Sequence, residues 1–150
     1  MRSIGQPVPP FVHKSNAPYW ETIKTQYQNI ASDLQSLNAH RYAHNITGGN
    51  QEFIEALSFQ HYLETQSLIS YDEAKAKIAE LSKREKKEGE GEEKKEEMEV
   101  EKEKEDADHV VPLTPEDYIL GICDMTGELM RFSVTSMATN GKLPSGRAKA

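Results

Sequence analysis

One cysteine, Cys123, stands in the whole 150-residue chain, so no internal disulfide can form and the chain suits a reducing compartment. With no second cysteine beside it there is no metal knuckle either, and Cys123 is expected to be a small core residue. No run of about 18 apolar residues occurs, which excludes a membrane-spanning helix. Pro7, Pro9 and Pro10 interrupt any leader-like start. These absences predict a soluble, intracellular chain. Basic charge is short as well: 18 Lys and Arg face 25 Asp and Glu, a net charge of −7. Residues 83–106 hold eight of those bases and twelve of the acids, which leaves ten against thirteen elsewhere. No basic surface large enough to bind nucleic acid unaided is expected. With 36% apolar residues the chain is lean in core material and offers one domain at most.

What is present is helical periodicity. Residues 1–15 are Pro-rich without period and are expected as a disordered tail. Asn16 can cap, and Pro18 can open, a helix whose apolar residues Trp20, Ile23, Tyr27, Ile30, Leu34 and Leu37 recur in steps of three and four. The pattern resumes as Tyr42, Ile46, Gly49, Phe53, Ala56, Gln60 and Leu63. Its phase carries through Gly48-Gly49, which predicts one continuous helix from about residue 39 to 65 rather than a turn, at a cost of about 1 kcal/mol per glycine. Ser70 and Glu73 form a capping box for a third helix with Ala74, Ile78 and Leu81 inward. Thr114 caps a last helix opened by Pro115, with Glu116 and Asp117 set against its dipole. Tyr118, Ile122, Met125, Leu129 and Phe132 form its apolar face, which Ile119, Met130 and Val134 broaden enough for more than one neighbour. A helical domain over residues 16–139 follows, interrupted by a charged, disordered or frayed-helical insertion at 83–109. Residues 140–150 are a second tail. Within the insertion, Lys83-Arg84-Glu85-Lys86-Lys87 has an acid in its midst and makes a poor nuclear-localisation signal.

Two of these helices carry paired acids. Glu52 and Glu55 are three apart, so their Cβ atoms lie about 5–6 Å from each other on one face. Asp124 and Glu128, four apart, do the same. An acid pair beside an apolar stripe is often only its solvated edge. Should both pairs meet, two unit charges 4 Å apart repel by about 4 kcal/mol at an effective dielectric of 20. Such a cluster would have to hold protons or a cation. All-oxygen donors favour Mg²⁺ or Mn²⁺ over zinc. A di-iron bundle needs Glu-x-x-His, and the residues three beyond Glu52 and Glu55 are Glu55 and Ser58. A hard divalent ion on carboxylates is nuclease chemistry, activating water and steadying a phosphoryl oxyanion. His61 is nearly out of phase with Glu52 and is expected to be structural or partner-facing.

Two motifs carry a family resemblance. Glu52-Phe53-Ile54-Glu55-Ala56-Leu57-Ser58-Phe59-Gln60-His61, followed by Leu63-Glu64-Thr65-Gln66-Ser67-Leu68-Ile69-Ser70, is the first. Leu113-Thr114-Pro115-Glu116-Asp117-Tyr118-Ile119-Leu120-Gly121, running into Asp124-Met125-Thr126-Gly127-Glu128-Leu129-Met130-Arg131, is the second. Together they resemble the translin family, in particular its translin-associated factor X branch, over about half the chain. The resemblance implies an all-α, antiparallel helical bundle of the translin type, incomplete, with about four helices rather than seven and apparently truncated at both ends. It implies a subunit that joins a translin-like subunit in a hetero-oligomer, in cytoplasm and nucleus, and acts on single-stranded RNA or DNA as a Mg²⁺- or Mn²⁺-dependent endoribonuclease. Carried over by motif, Glu52, Glu55, Asp124 and Glu128 would be the catalytic and metal-binding residues. Arg131 would contact a phosphate or pair with Glu128. The alternatives are a catalytically inactive, truncated subunit that binds translin and nucleic acid without turnover, and an unrelated helical adaptor whose charged segment is the working part.

Overall fold

The computed structural model describes residues 5–34, 37–83 and 110–144. Within them are four helices and no strand: α1 (Pro10–Asp33), α2 (Leu37–Thr65), α3 (Tyr71–Ser82) and α4 (Pro115–Asn140). The charged insertion lies outside the described residues beyond Lys83, as do residues 145–150 of the second tail.

α1 starts six residues before the expected cap at Asn16. Pro9 precedes it without a side-chain cap, Pro10 fills its first turn and Pro18 lies inside it. The leading segment is held against α2, where the Gly5 N–H donates to the Leu63 carbonyl at 2.8 Å and Val8 is buried. That burial gives the chain a reason to be ordered that a Pro-rich composition alone does not reveal. Leu37, assigned by periodicity to the end of the first helix, instead opens α2. The second helix does run unbroken through Gly48 and Gly49. Ser70 and Glu73 close the expected capping box, with Ser70 Oγ accepting from Glu73 N at 3.2 Å and Glu73 Oε2 accepting from Ser70 N at 2.8 Å. α4 stops at Gly141, which takes the left-handed conformation (φ 65°) and donates its N–H to the Met137 carbonyl at 2.9 Å.

α1 and α2 run antiparallel, with Trp20 and Tyr27 edge-on to the Phe53 ring at 6.0 and 5.2 Å between centroids. Tyr27, Ala31 and Leu34 join Phe53, Ile54, Ala74, Ile78 and Leu81 in one buried core. The expected α2 seam is half right: Phe53 and Leu63 are buried, yet Gly49 and Ala56 are exposed. A second α2 face, Asn50, Ile54 and Ser58, is buried instead. Two of its three members are polar, so no hydrophobic pattern marks it. This face meets α4 at Gly121, where a Cβ would lie 2.7 Å from both the Gln51 carbonyl oxygen and Ile54 Cβ. The helices touch there because Gly121 has no side chain.

The α2–α4 register is set by a buried carboxylate. Asp117, only 3% exposed, receives hydrogen bonds from the Thr47 hydroxyl and from Gln51 Nε2, the latter at 3.0 Å. Its own N–H donates to Thr114 Oγ1 at 3.0 Å, which caps α4. Beside it Asn50, 2% exposed, accepts from the Tyr27 hydroxyl at 3.2 Å and donates to the Pro112 carbonyl at 2.9 Å. One polar cluster thus joins α1, α2, the 112–114 strap and the first turn of α4. Burial alone would push the Asp117 carboxyl up, but bonds from Thr47, Gln51, Thr114 and Asn50 outweigh it and hold the group below the usual range. Burial first, then the Asp117 charge, pushes the Tyr27 phenol upward.

Two outcomes are expected. Gly121→Ala should destabilise the fold by about 2 kcal/mol through overpacking, whereas Gly127→Ala on the same helix, with nothing within 4 Å of the added Cβ, should stabilise it by up to about 1 kcal/mol. Urea denaturation measures both, and equal signs would refute the tight crossing. For Asp117 the folded pKa lies below the unfolded value of about 3.9, so the unfolded chain takes up the proton first as pH falls. Its contribution is therefore complete above the unfolded pKa and lost as pH drops through the folded one. Asp117→Asn should cost about 2–3 kcal/mol near neutrality and flatten the fall in stability between about pH 5 and about pH 3.

Candidate functional site

From the Asp117 anchor, α2 and α4 run side by side in the same direction. Gln51 meets Asp117, Ile54 meets Gly121, and Phe59 meets the Phe132 ring edge-on at 6.0 Å. Between those fixed ends lie Glu52 and Glu55 on α2 and Asp124 and Glu128 on α4. All four acids, with Arg131, line one open pocket of about 670 Å³. The two pairs are thus brought together, though not turned inward as a sealed cluster would require. Glu52 and Asp124 are exposed, and Glu55 and Glu128 half-buried.

The acids feel one another. Partial burial, then the charges of Glu52, Glu128 and Asp124, push the Glu55 carboxyl above its ordinary range against the opposing pull of Arg131. Arg131 Nη1 sits 2.8 Å from Glu128 Oε1, so the pairing role is the one it plays in this arrangement. Such an exposed i,i+3 pair contributes only about 0.3–0.5 kcal/mol. The guanidinium is therefore cheaply released toward another anion. Among the described residues, no three His, Cys, Asp or Glu side chains are grouped so as to hold a metal ion as they stand.

Cys123 corrects the sequence reading. It is exposed and lines the acidic pocket, because it lies on the far side of α4 from Gly121. Thr126, Gly127, Met130, Val134 and Thr135 complete the lining on α4. His61 lies outside it, 3.4 Å from Ser67 Oγ at the end of α2, in line with a structural role. The residue that sequence reading missed is Asp117, taken only as a dipole partner. Its one available signal was Thr114-Pro115-Glu116-Asp117, the capping-box spacing with Asp in the third position.

Comparison with known proteins agrees with the helical architecture. The Translin family model matches residues 3–148. Over 121 residues the chain is 35% identical to translin-associated protein X of Mus musculus, covering 81% of this chain and 40% of the relative. The Pongo abelii protein of the same name matches equally well, at 35% over the same span and coverage. The translin-associated protein X homolog of Schizosaccharomyces pombe is 27% identical over 134 residues, covering 89% of this chain and 43% of that protein. The chain therefore spans about two fifths of the length of these relatives. With a family match reaching almost from one end to the other, the chain belongs to the translin family, on the side of translin-associated protein X.

Proposed function

We propose that this chain is the acid-bearing subunit of a nucleic-acid-binding complex, assembled with a translin-type subunit in cytoplasm and nucleus, and that it contributes a Mg²⁺- or Mn²⁺-dependent endoribonuclease site for single-stranded RNA. The observation that carries the reading is the placement of Glu52, Glu55, Asp124 and Glu128 around one open pocket. Nothing in the packing of α2 or α4 needs four acids there, since the two helices are held together by Gly121, the Asp117 cluster and the Phe59–Phe132 contact. The donor set fits a hard divalent ion in chemistry and in charge, being all oxygen and bearing one basic neighbour, Arg131. Glu52, Glu55, Asp124 and Glu128 would hold it, with Glu128 turning from Arg131 to do so. A bound divalent ion would supply a nucleophilic water and charge neutralisation at the phosphate. Glu55, whose carboxyl partial burial and the charges of Glu52, Glu128 and Asp124 hold above its ordinary range, would stand beside such a water as a proton acceptor. Arg131, released from Glu128, is free to meet a phosphate oxygen.

Two observations favour a second reading, in which the subunit binds without turnover: Glu128 is engaged by Arg131, and no group of three ligands is assembled among the described residues. The two readings part on mutation. Glu128→Gln and Glu52→Gln should leave the metal-free melting temperature unchanged or slightly higher, because each removes repulsion. Each should abolish the stabilisation given by added Mg²⁺ or Mn²⁺. Each should also lower cleavage of single-stranded RNA by the partner-bound complex roughly 100-fold or more. Glu64→Gln, on α2 outside the pocket, is the control. Glu73 is unsuitable for that purpose, because it closes the capping box of α3. Indistinguishable metal titrations for the Glu128 and Glu64 variants, with cleavage intact, would eliminate the metal site.

A further inference from the structure

Six asparagines occur in the chain, and five of them are followed by a residue with a side chain: Ala17, Ile30, Ala39, Ile46 and Gln51. The sixth, Asn140, is followed by Gly141, and no aspartate precedes a glycine anywhere in the chain. The difference is chemical. The backbone nitrogen of the next residue can close a ring on an asparagine's side-chain amide, and a Cβ on that residue crowds the approach; glycine has none. Asn140 is the last residue of α4, and both it and Gly141 are exposed. Among the described residues no hydrogen bond engages the Asn140 side chain.

What restrains the reaction is the end of the helix. Gly141 is left-handed at φ 65°, and its N–H, on the nitrogen that would attack, donates to the Met137 carbonyl at 2.9 Å. Nothing lies within 4 Å of where a Gly141 Cβ would stand, so it is the backbone conformation and not space that calls for glycine here. A nitrogen engaged in that bond cannot turn to the Asn140 amide, and the ring closes only when the last turn opens. That turn is weakly held: Met137 is 45% exposed, residues 138–141 are exposed, and Ser136 Oγ reaches the Lys142 carbonyl only at 3.3 Å. No basic residue stands in the last turn to favour the helix dipole. Terminal turns of this kind open at little cost.

We propose that Asn140-Gly141 is a site of spontaneous deamidation, gated by the last turn of α4 and consuming one water. With the turn open, the Gly141 nitrogen gives up its proton and bonds to Asn140 Cγ; the Cγ–Nδ2 bond breaks, and the side-chain nitrogen leaves with that proton as ammonia. Water then opens the ring at either carbonyl, giving aspartate, or isoaspartate with the chain routed through Cβ; nothing is oxidised or reduced. Either product sets a negative charge at the C-terminal end of the helix dipole, where it is unfavourable. Isoaspartate also lengthens the backbone by one carbon, so the Gly141 N–H no longer falls on the Met137 carbonyl. A momentary opening of α4 is thereby made permanent.

For the test, the full chain is incubated at mildly alkaline pH beside an unstructured Asn-Gly peptide until that peptide has converted, and the products are followed by peptide mass. A gain of about 1 Da should appear on the fragment that holds residue 140, and not on those that hold Asn16, Asn29, Asn45 or Asn50. The product should accept a methyl group from S-adenosylmethionine through an isoaspartyl methyltransferase, which simple hydrolysis to aspartate would not allow. Asn140→Gln should remove both signals. In concentrated urea, where the turn is lost, wild type should convert at least about threefold faster than in buffer. Gly141→Ala in the same urea should convert at least about tenfold more slowly than wild type, because the added Cβ crowds the ring closure. Asn140→Asp, carrying the charge of the aspartate product, should speed hydrogen exchange of the Gly141 amide about two- to fivefold. A wild-type chain still unconverted when the reference peptide is spent would overturn the inference. Equal rates in urea and in buffer would overturn it as well, since the helix end would then gate nothing.

Discussion

A buried carboxylate met by neutral hydrogen-bond donors holds this arrangement together. Leaving an ionised acid at 3% exposure would cost several kcal/mol if its oxygens were unmet. Asp117 avoids that through the Thr47, Gln51 and Thr114 side chains and through its place in the first turn of α4, where the helix dipole favours negative charge. The requirement is geometric. Thr47 and Gln51 are four apart on α2 and offer their donors on one face only, so α4 can begin at one height and one rotation. Slipping α4 by a single turn, about 5.4 Å, would strand the carboxylate. It would also drive the residue replacing Gly121 into the Gln51 carbonyl and the Ile54 side chain. The polar cluster selects the register, and the glycine permits the approach.

The position of the acids follows from that register. Because α2 and α4 run in the same direction, each step along one is matched by a step along the other, and the pairs Glu52/Glu55 and Asp124/Glu128 come opposite with no further device. The anchoring contacts lie at both ends of this stretch, the Asp117 cluster below and the Phe59–Phe132 contact above. Mutual repulsion among the acids therefore cannot pry the helices apart without breaking one or the other. The repulsion is expressed instead as a raised Glu55 carboxyl and as recruitment of Arg131 to Glu128. A site strained in charge but fixed in backbone is suited to gaining and losing a counter-ion.

Helix existence was readable wherever apolar residues kept period. α2 through its two glycines, the capping box of α3 and the Thr114 cap of α4 all followed from local chemistry. The pairing of the acids was legible as well, because i,i+3 and i,i+4 spacing fixes a face before any tertiary contact exists. Three features were not legible, each for a physical reason. The start of α1 depends on Val8 and Gly5 docking against the end of α2, a contact some sixty residues away in sequence. The second buried face of α2 is written in Asn50 and Ser58, which hydrophobic periodicity passes over because their burial is licensed by hydrogen bonds. Cys123 was placed inside on residue type, whereas its angle from Gly121 puts it outside.

The two sides of α4 now have distinct physical roles. Its inner side carries small or hydrogen-bonded residues, Asp117 and Gly121, which fix position at the expense of hydrophobic area. Its outer side carries large flexible side chains, Met130 and Met137 among them, which supply area without demanding one geometry. One face of the helix fixes position, and the other leaves large side chains exposed. Asp124 and Glu128 stand on and beside the side that carries Gly121, so the fixed face sets their spacing.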